Sequence, residues 1–118
     1  MTKHIQQNRK VRMSSMIRVI LIYYRERSGE SITFQAIRKH RNKPGLLLRV
    51  KNVLVYILIE HGFTSDEVAS MLYHKDRSSI SDSARRVAAS RKGDRDLDKE
   101  IKAIEARLPH KLTTPPLT

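Results

Sequence analysis

The chain has 118 residues, enough for one domain with a thin core. Its 24 Lys and Arg against 12 Asp and Glu leave a net charge of +12, an excess that calls for a polyanionic partner, nucleic acid before an anionic membrane surface. The absence of cysteine removes disulfides and thiolate metal sites, and the longest apolar run, Val53–Ile59, falls far short of the roughly 20 residues of a membrane span.

Residues 1–13 carry Lys3, Arg9, Lys10 and Arg12 with no acid and little apolar content. They read as a mobile basic arm, and Arg18 interrupts the apolar stretch that a signal peptide would need, so a cytoplasmic protein is expected. From Ser14 to Leu108 the apolar period is helical and strand-like alternation is absent. A first helix is predicted from a cap at Ser14 or Ser15 to about Arg27, with Met16, Ile17, Ile20, Leu21 and Tyr24 on one stripe, stopped by Ser28-Gly29. A short helix over Ser31–Ile37 follows, then a basic loop, Arg38-Lys39-His40-Arg41-Asn42-Lys43, closed by the turn signal Pro44-Gly45.

Leu46–His61 is apolar nearly all round, as a central buried helix should be, and Gly62 ends it. Thr64 and Glu67 form a capping-box pattern that starts a helix to Leu72, burying Val68, Ala69 and Leu72. A turn over Tyr73–Lys75 leads to Asp76 and a helix with Ile80, Ala84, Val87, Ala88 and Arg91 along one side, ended by Gly93. The last helix, from Asp94 or Asp96, places Leu97, Ile101, Ile104 and Leu108 on one face. Pro109–Thr118 holds three prolines and several threonines and reads as an unstructured tail. The expected fold is all-α, a compact bundle of five or six helices over residues 14–108.

Thr64–Leu72 and Asp76–Lys92 have the dimensions of a helix-turn-helix, with Ala69 and Ala84 permitting close approach where the helices cross. The second helix of such a pair enters the major groove by its N-terminal end. Here that end offers Arg77, Ser78, Ser79 and Asp82: arginine can fork onto guanine, serine can donate or accept, and aspartate can accept from a cytosine amino group. Arg85 and Arg86 leave the apolar stripe further on and suit phosphates, as does the free helix start at Thr64. Ser31 to Ile59 contains six Lys/Arg and no acid, a second basic site beyond ordinary solvation.

Arg38–Leu108 resembles the C-terminal DNA-binding domain of the bacterial replication initiator DnaA. The order is the same: basic loop, long apolar helix, capped short helix, Lys75-Asp76-Arg77-Ser78-Ser79-Ile80, Ala84-Arg85-Arg86-Val87, and a closing helix with an acidic start. Ser14–Ile37 is compatible with that domain's first helix. The resemblance implies a Trp-repressor-like helix-turn-helix fold. It also implies that Lys75, Asp76, Arg77, Ser78 and Ser79 approach the major groove, and that one of Arg38, Lys39 or Arg41 enters the minor groove. Lys43, in the same basic stretch, suits a phosphate or minor-groove contact. The family signature at the turn is Gly-Gly-Arg-Asp-His-Thr-Thr-Val, where this chain has Tyr73-His74-Lys75-Asp76-Arg77-Ser78-Ser79-Ile80. Losing two threonine methyls and gaining Arg77 for an imidazole removes the basis for carrying over the family's preferred DNA sequence.

No Gly-x-x-x-x-Gly-Lys-Ser/Thr loop occurs, so the initiator's nucleotide chemistry is not expected. Asp94, Asp96, Asp98 and Glu105 match a calcium-loop spacing, but Lys99 stands where the loop needs glycine, and helix capping explains the acids. The five histidines are scattered without zinc-ligand spacing. No base or metal pattern converges on Tyr23, Tyr24, Tyr56 or Tyr73 to make a nucleophile, and six Phe/Tyr with no Trp form no stacking platform for single strands. The expectation is a non-enzymatic, nucleoid-associated binder of double-stranded DNA without cofactor or metal, a monomer or weak dimer, acting in replication or transcription. An interaction or decoy protein acting on the initiator, and a structured-RNA binder, are the alternatives.

Overall fold

The computed structural model describes residues 2–40, 45–73 and 77–108, and their fold is all-helical. The helices are α1 (Thr2–Ser28), α2 (Phe34–Lys39), α3 (Leu46–Glu60), α4 (Ser65–Met71), α5 (Arg77–Gly93) and α6 (Arg95–Arg107). Helix α3 sits at the centre and touches every other helix, as its near-continuous apolar character requires. Val50, Leu54, Ile57 and Leu58 of α3 are fully buried with Ile20 of α1, Ile37 of α2, Ile80 of α5, and Ile101 and Ile104 of α6. Among the described residues no helix is long and apolar enough to cross a membrane.

The local signals explain most boundaries. Gly29 stops α1 at φ +73°, a left-handed conformation that glycine adopts without steric cost, and its N–H donates to Arg25 O at 2.9 Å. Thr64 caps α4: its hydroxyl accepts from the Glu67 N–H at 3.1 Å, while the Glu67 carboxylate accepts from the Thr64 N–H at 2.8 Å. Asp94 caps α6 by accepting from the Leu97 N–H at 3.0 Å. Asp98 pairs with Arg91 and Lys102, so these acids have structural roles, and no group of three potential metal ligands occurs among the described residues.

Two expectations need correction. Residues 2–13 are not an arm but the first half of α1, and Ser14 and Ser15 lie mid-helix instead of capping it. Met13 is buried, and the Arg9 guanidinium forks onto Glu67 at 2.7 Å through both Nε and Nη2, with Nη2 also donating to Gly62 O at 2.9 Å. Arg9 and Arg12 both lie over the Phe63 ring at 5.1 Å. The segment is held by charge-assisted hydrogen bonds and cation–π contact, which an apolar period does not register. The second correction concerns α2, which begins at Phe34 behind a Thr33 cap and runs to Lys39, so Arg38 and Lys39 end a helix instead of starting a loop. The expected tail, 109–118, lies outside the described residues.

Candidate nucleic-acid interface

Helices α4 and α5 pack against each other and against α3. Val68, Ala69 and Leu72 bury one side of this pair, and Ile80, Ala84 and Val87 bury the other. Beyond this apolar contact the Ser65 and Ser81 hydroxyls hydrogen-bond at 2.7 Å, tying the start of α4 to the second turn of α5. The capping box and the Arg9 fork brace α4 from behind, and Arg9 with Thr64 holds the Glu67 carboxyl far below its ordinary range, to about 2.

Because Ile80, Ala84 and Val87 face inward, the helical period turns Ser78, Asp82, Arg85 and Ala89 outward, with Ser79 and Arg86 on one shoulder. All six are exposed. The outward face therefore carries short polar groups and two arginines, and no apolar side chain larger than alanine. Arg77 opens the helix. Lys75 and Asp76, assigned to the same face from the sequence, lie outside the described residues.

Within this face the cations differ. Arg85 pairs with Asp82 one turn earlier, and both remain well exposed at 74% and 50%. Arg86 has no partner among the described residues. Beside Arg85 a cleft of about 350 Å³ is lined by Thr64, Ser65, Asp66, Ser78, Ser81 and Arg85. The Thr64 hydroxyl accepts from Glu67 N there and also hydrogen-bonds the Glu67 carboxylate.

The second basic site divides in the same way. Lys39 is exposed and unpaired among the described residues, whereas Arg41 and Lys43 lie outside them. Arg38 is committed inside the fold. Its Nε donates to Met71 O at 2.9 Å, and its guanidinium carbon lies 4.4 Å from the Phe34 ring centre and 4.0 Å from that of Tyr73. The structure thus brings Ser78, Ser79, Asp82, Arg85, Arg86 and Thr64 to one side of α4–α5, and it removes Arg38 from the free cations.

Sequence reasoning missed Arg9 and Tyr73. Arg9 carried no periodic signal. Tyr73 did, since it stands where the resembled signature has glycine, and its φ of +60° is the left-handed backbone that glycine favours. Compared with known proteins, the chain matches no family model, no curated protein and no solved structure.

Proposed function

We propose that this protein binds a specific site in double-stranded DNA through α5, as the C-terminal domain of DnaA does, and so controls replication or transcription. One observation carries the reading: α5 is buried along Ile80, Ala84 and Val87, and turns outward a face of serines, aspartate and arginines. Short polar side chains let a helix approach base edges closely, and arginines at the shoulders suit phosphates. The net charge of +12 supports a polyanionic partner. Ser78, Ser79 and Asp82, with Arg77, Lys75 and Asp76, read bases in this proposal. Arg85, Arg86, Thr64, Lys39, Arg41 and Lys43 hold backbone or minor groove.

The test is competition at a fixed moderate salt. A duplex selected from random DNA should bind about a thousandfold tighter than its scrambled version, at the lower end of the span usual for specific over non-specific sites. Equal binding of both duplexes would overturn site-specific recognition and favour an interaction protein with secondary DNA affinity. Duplex RNA outcompeting the selected DNA would assign the protein to structured RNA instead.

A further inference from the structure

Arg38 connects parts of the chain that sequence separates widely. It stands near the end of α2, just before the basic loop, and reaches Met71, the last residue of α4, and Tyr73 in the turn of the helix-turn-helix. Met71 O is one of the carbonyls that a helix end leaves without an intrahelical donor, and a cation there also meets the negative end of the helix dipole. Nη2 of the same side chain approaches Met71 Sδ at 4.0 Å. The guanidinium plane meets both aromatic rings, Phe34 from its own helix and Tyr73 from the turn.

Tyr73 is unusual on its own terms. It is the one non-glycine residue with positive φ among the described residues, and the residue is 71% exposed. A bulky side chain in that conformation costs free energy and persists only where the surroundings hold it. Here the Arg38 guanidinium carbon lies 4.0 Å from the ring centre, and the Tyr73 N–H donates to Ser70 O at 3.3 Å.

We infer that Arg38 is a positioning residue, a strut that fixes the end of α2 against the turn between α4 and α5. Tyr73 and Phe34 are its seats. Arg38 sets the spacing between the end of α2, with its exposed Lys39, and the reading helix α5. We assign it to this strut and not to phosphate, because its Nε donates to Met71 O and its guanidinium carbon lies 4.4 and 4.0 Å from the two ring centres. The consequence for DNA rests on the proposed function; the mechanical coupling does not.

Both parts are testable with five variants of the full chain: Arg38→Lys, Arg38→Gln, Tyr73→Ala, Tyr73→Phe and Arg38→Lys/Tyr73→Ala, each checked for a retained helical spectrum. In the free protein, hydrogen exchange is read at His40 N–H, bonded to Ile37 O, and at Leu72 and Tyr73 N–H, bonded to Val68 O and Ser70 O. Arg38→Lys should speed exchange at Leu72 and Tyr73, and Tyr73→Ala should speed it at His40, more than 30 residues away. Tyr73→Phe keeps the ring and should match the wild type.

On the selected duplex, Arg38→Lys and Tyr73→Ala should each lose about tenfold in affinity, within the range of one cation–π contact. The double variant should lose little more than either alone, because both remove the same contact. Their binding to scrambled DNA and its salt dependence should stay unchanged, since Arg38→Lys keeps the charge and Tyr73→Ala removes none. Local exchange effects that stop at each mutated site overturn the strut. So does wild-type DNA affinity in both Arg38→Lys and Tyr73→Ala, with a reduced salt slope in Arg38→Gln, which would make Arg38 a phosphate contact. Coupled exchange in a protein that binds no duplex specifically leaves the strut standing and removes the DNA reading.

Discussion

Arg9, Arg49 and Arg107 each meet a carboxylate more than 50 residues away, whereas Arg86 on α5 and Lys39 on α2 meet none among the described residues. The first set closes the fold: Arg9 joins α1 to α4 through Glu67, Arg49 joins α3 to α6 through Glu100, and Arg107 joins α6 back to α1 through Glu26. The second set lies on the exposed sides of α5 and α2. The same chemistry therefore performs two tasks, and the acids of the chain mark the difference. Substitutions in the first set should cost stability, and those in the second should cost binding alone.

The largest expected effect is at Glu67. Glu67→Ala removes both the reciprocal cap and the Arg9 fork, and should lower stability to urea by about 2 kcal/mol after solvent screening of a partly exposed pair. The carboxyl is held near 2, below its ordinary value, so its contribution is complete above the ordinary glutamate pKa and is lost as pH falls towards 2. The stability gap between wild type and Glu67→Gln should accordingly shrink across that acid window. A gap independent of pH would mean that Arg9 does not bind the charged form.

Lys51 is a buried cation with no ion pair among the described residues. Burial pushes its pKa down, so the folded state holds that proton less well than the unfolded chain does. Stability should rise with pH between the lowered and the ordinary lysine pKa, and Lys51→Met should stabilise the protein by about 1 kcal/mol at neutral pH. Thermal melts of the two proteins at neutral and alkaline pH check this, and a less stable Lys51→Met would reverse the account of Lys51.

Arg86→Ala should weaken binding to selected and scrambled duplexes alike, by about 1 kcal/mol, with the salt slope reduced by about 1 and stability unchanged. Arg85→Ala should do less, because Arg85 must first give up Asp82. The smallest effect belongs to Arg107→Ala. Its pair with Glu26 is exposed, and loss of about 0.5 kcal/mol is expected in denaturant melts even with its contact over Tyr23 at 5.1 Å.

The helical fold was legible because apolar residues recur at helical spacing, and because Gly29 and the Thr64–Glu67 box are local signals that the structure uses as such. Arg9 was illegible for the opposite reason. Its partner, Glu67, lies 58 residues away, and nothing local distinguishes an arginine in an ion pair from one in solvent. The outward stripe of α5 followed directly from its buried stripe. The pairing of Asp82 with Arg85 and the commitment of Arg38 to Met71 did not, since both depend on which rotamer a long side chain adopts once its neighbours are in place.

Site selection from random duplex DNA, run in parallel with the wild type, Ser79→Ala, Asp82→Ala and Arg86→Ala, tests the central claim that α5 reads bases. The wild type should select one motif, and Ser79→Ala and Asp82→Ala should each show altered preference at one or two adjacent positions. Arg86→Ala should return the wild-type motif with weaker binding. No motif from the wild type, or the same motif from all four proteins, would contradict it.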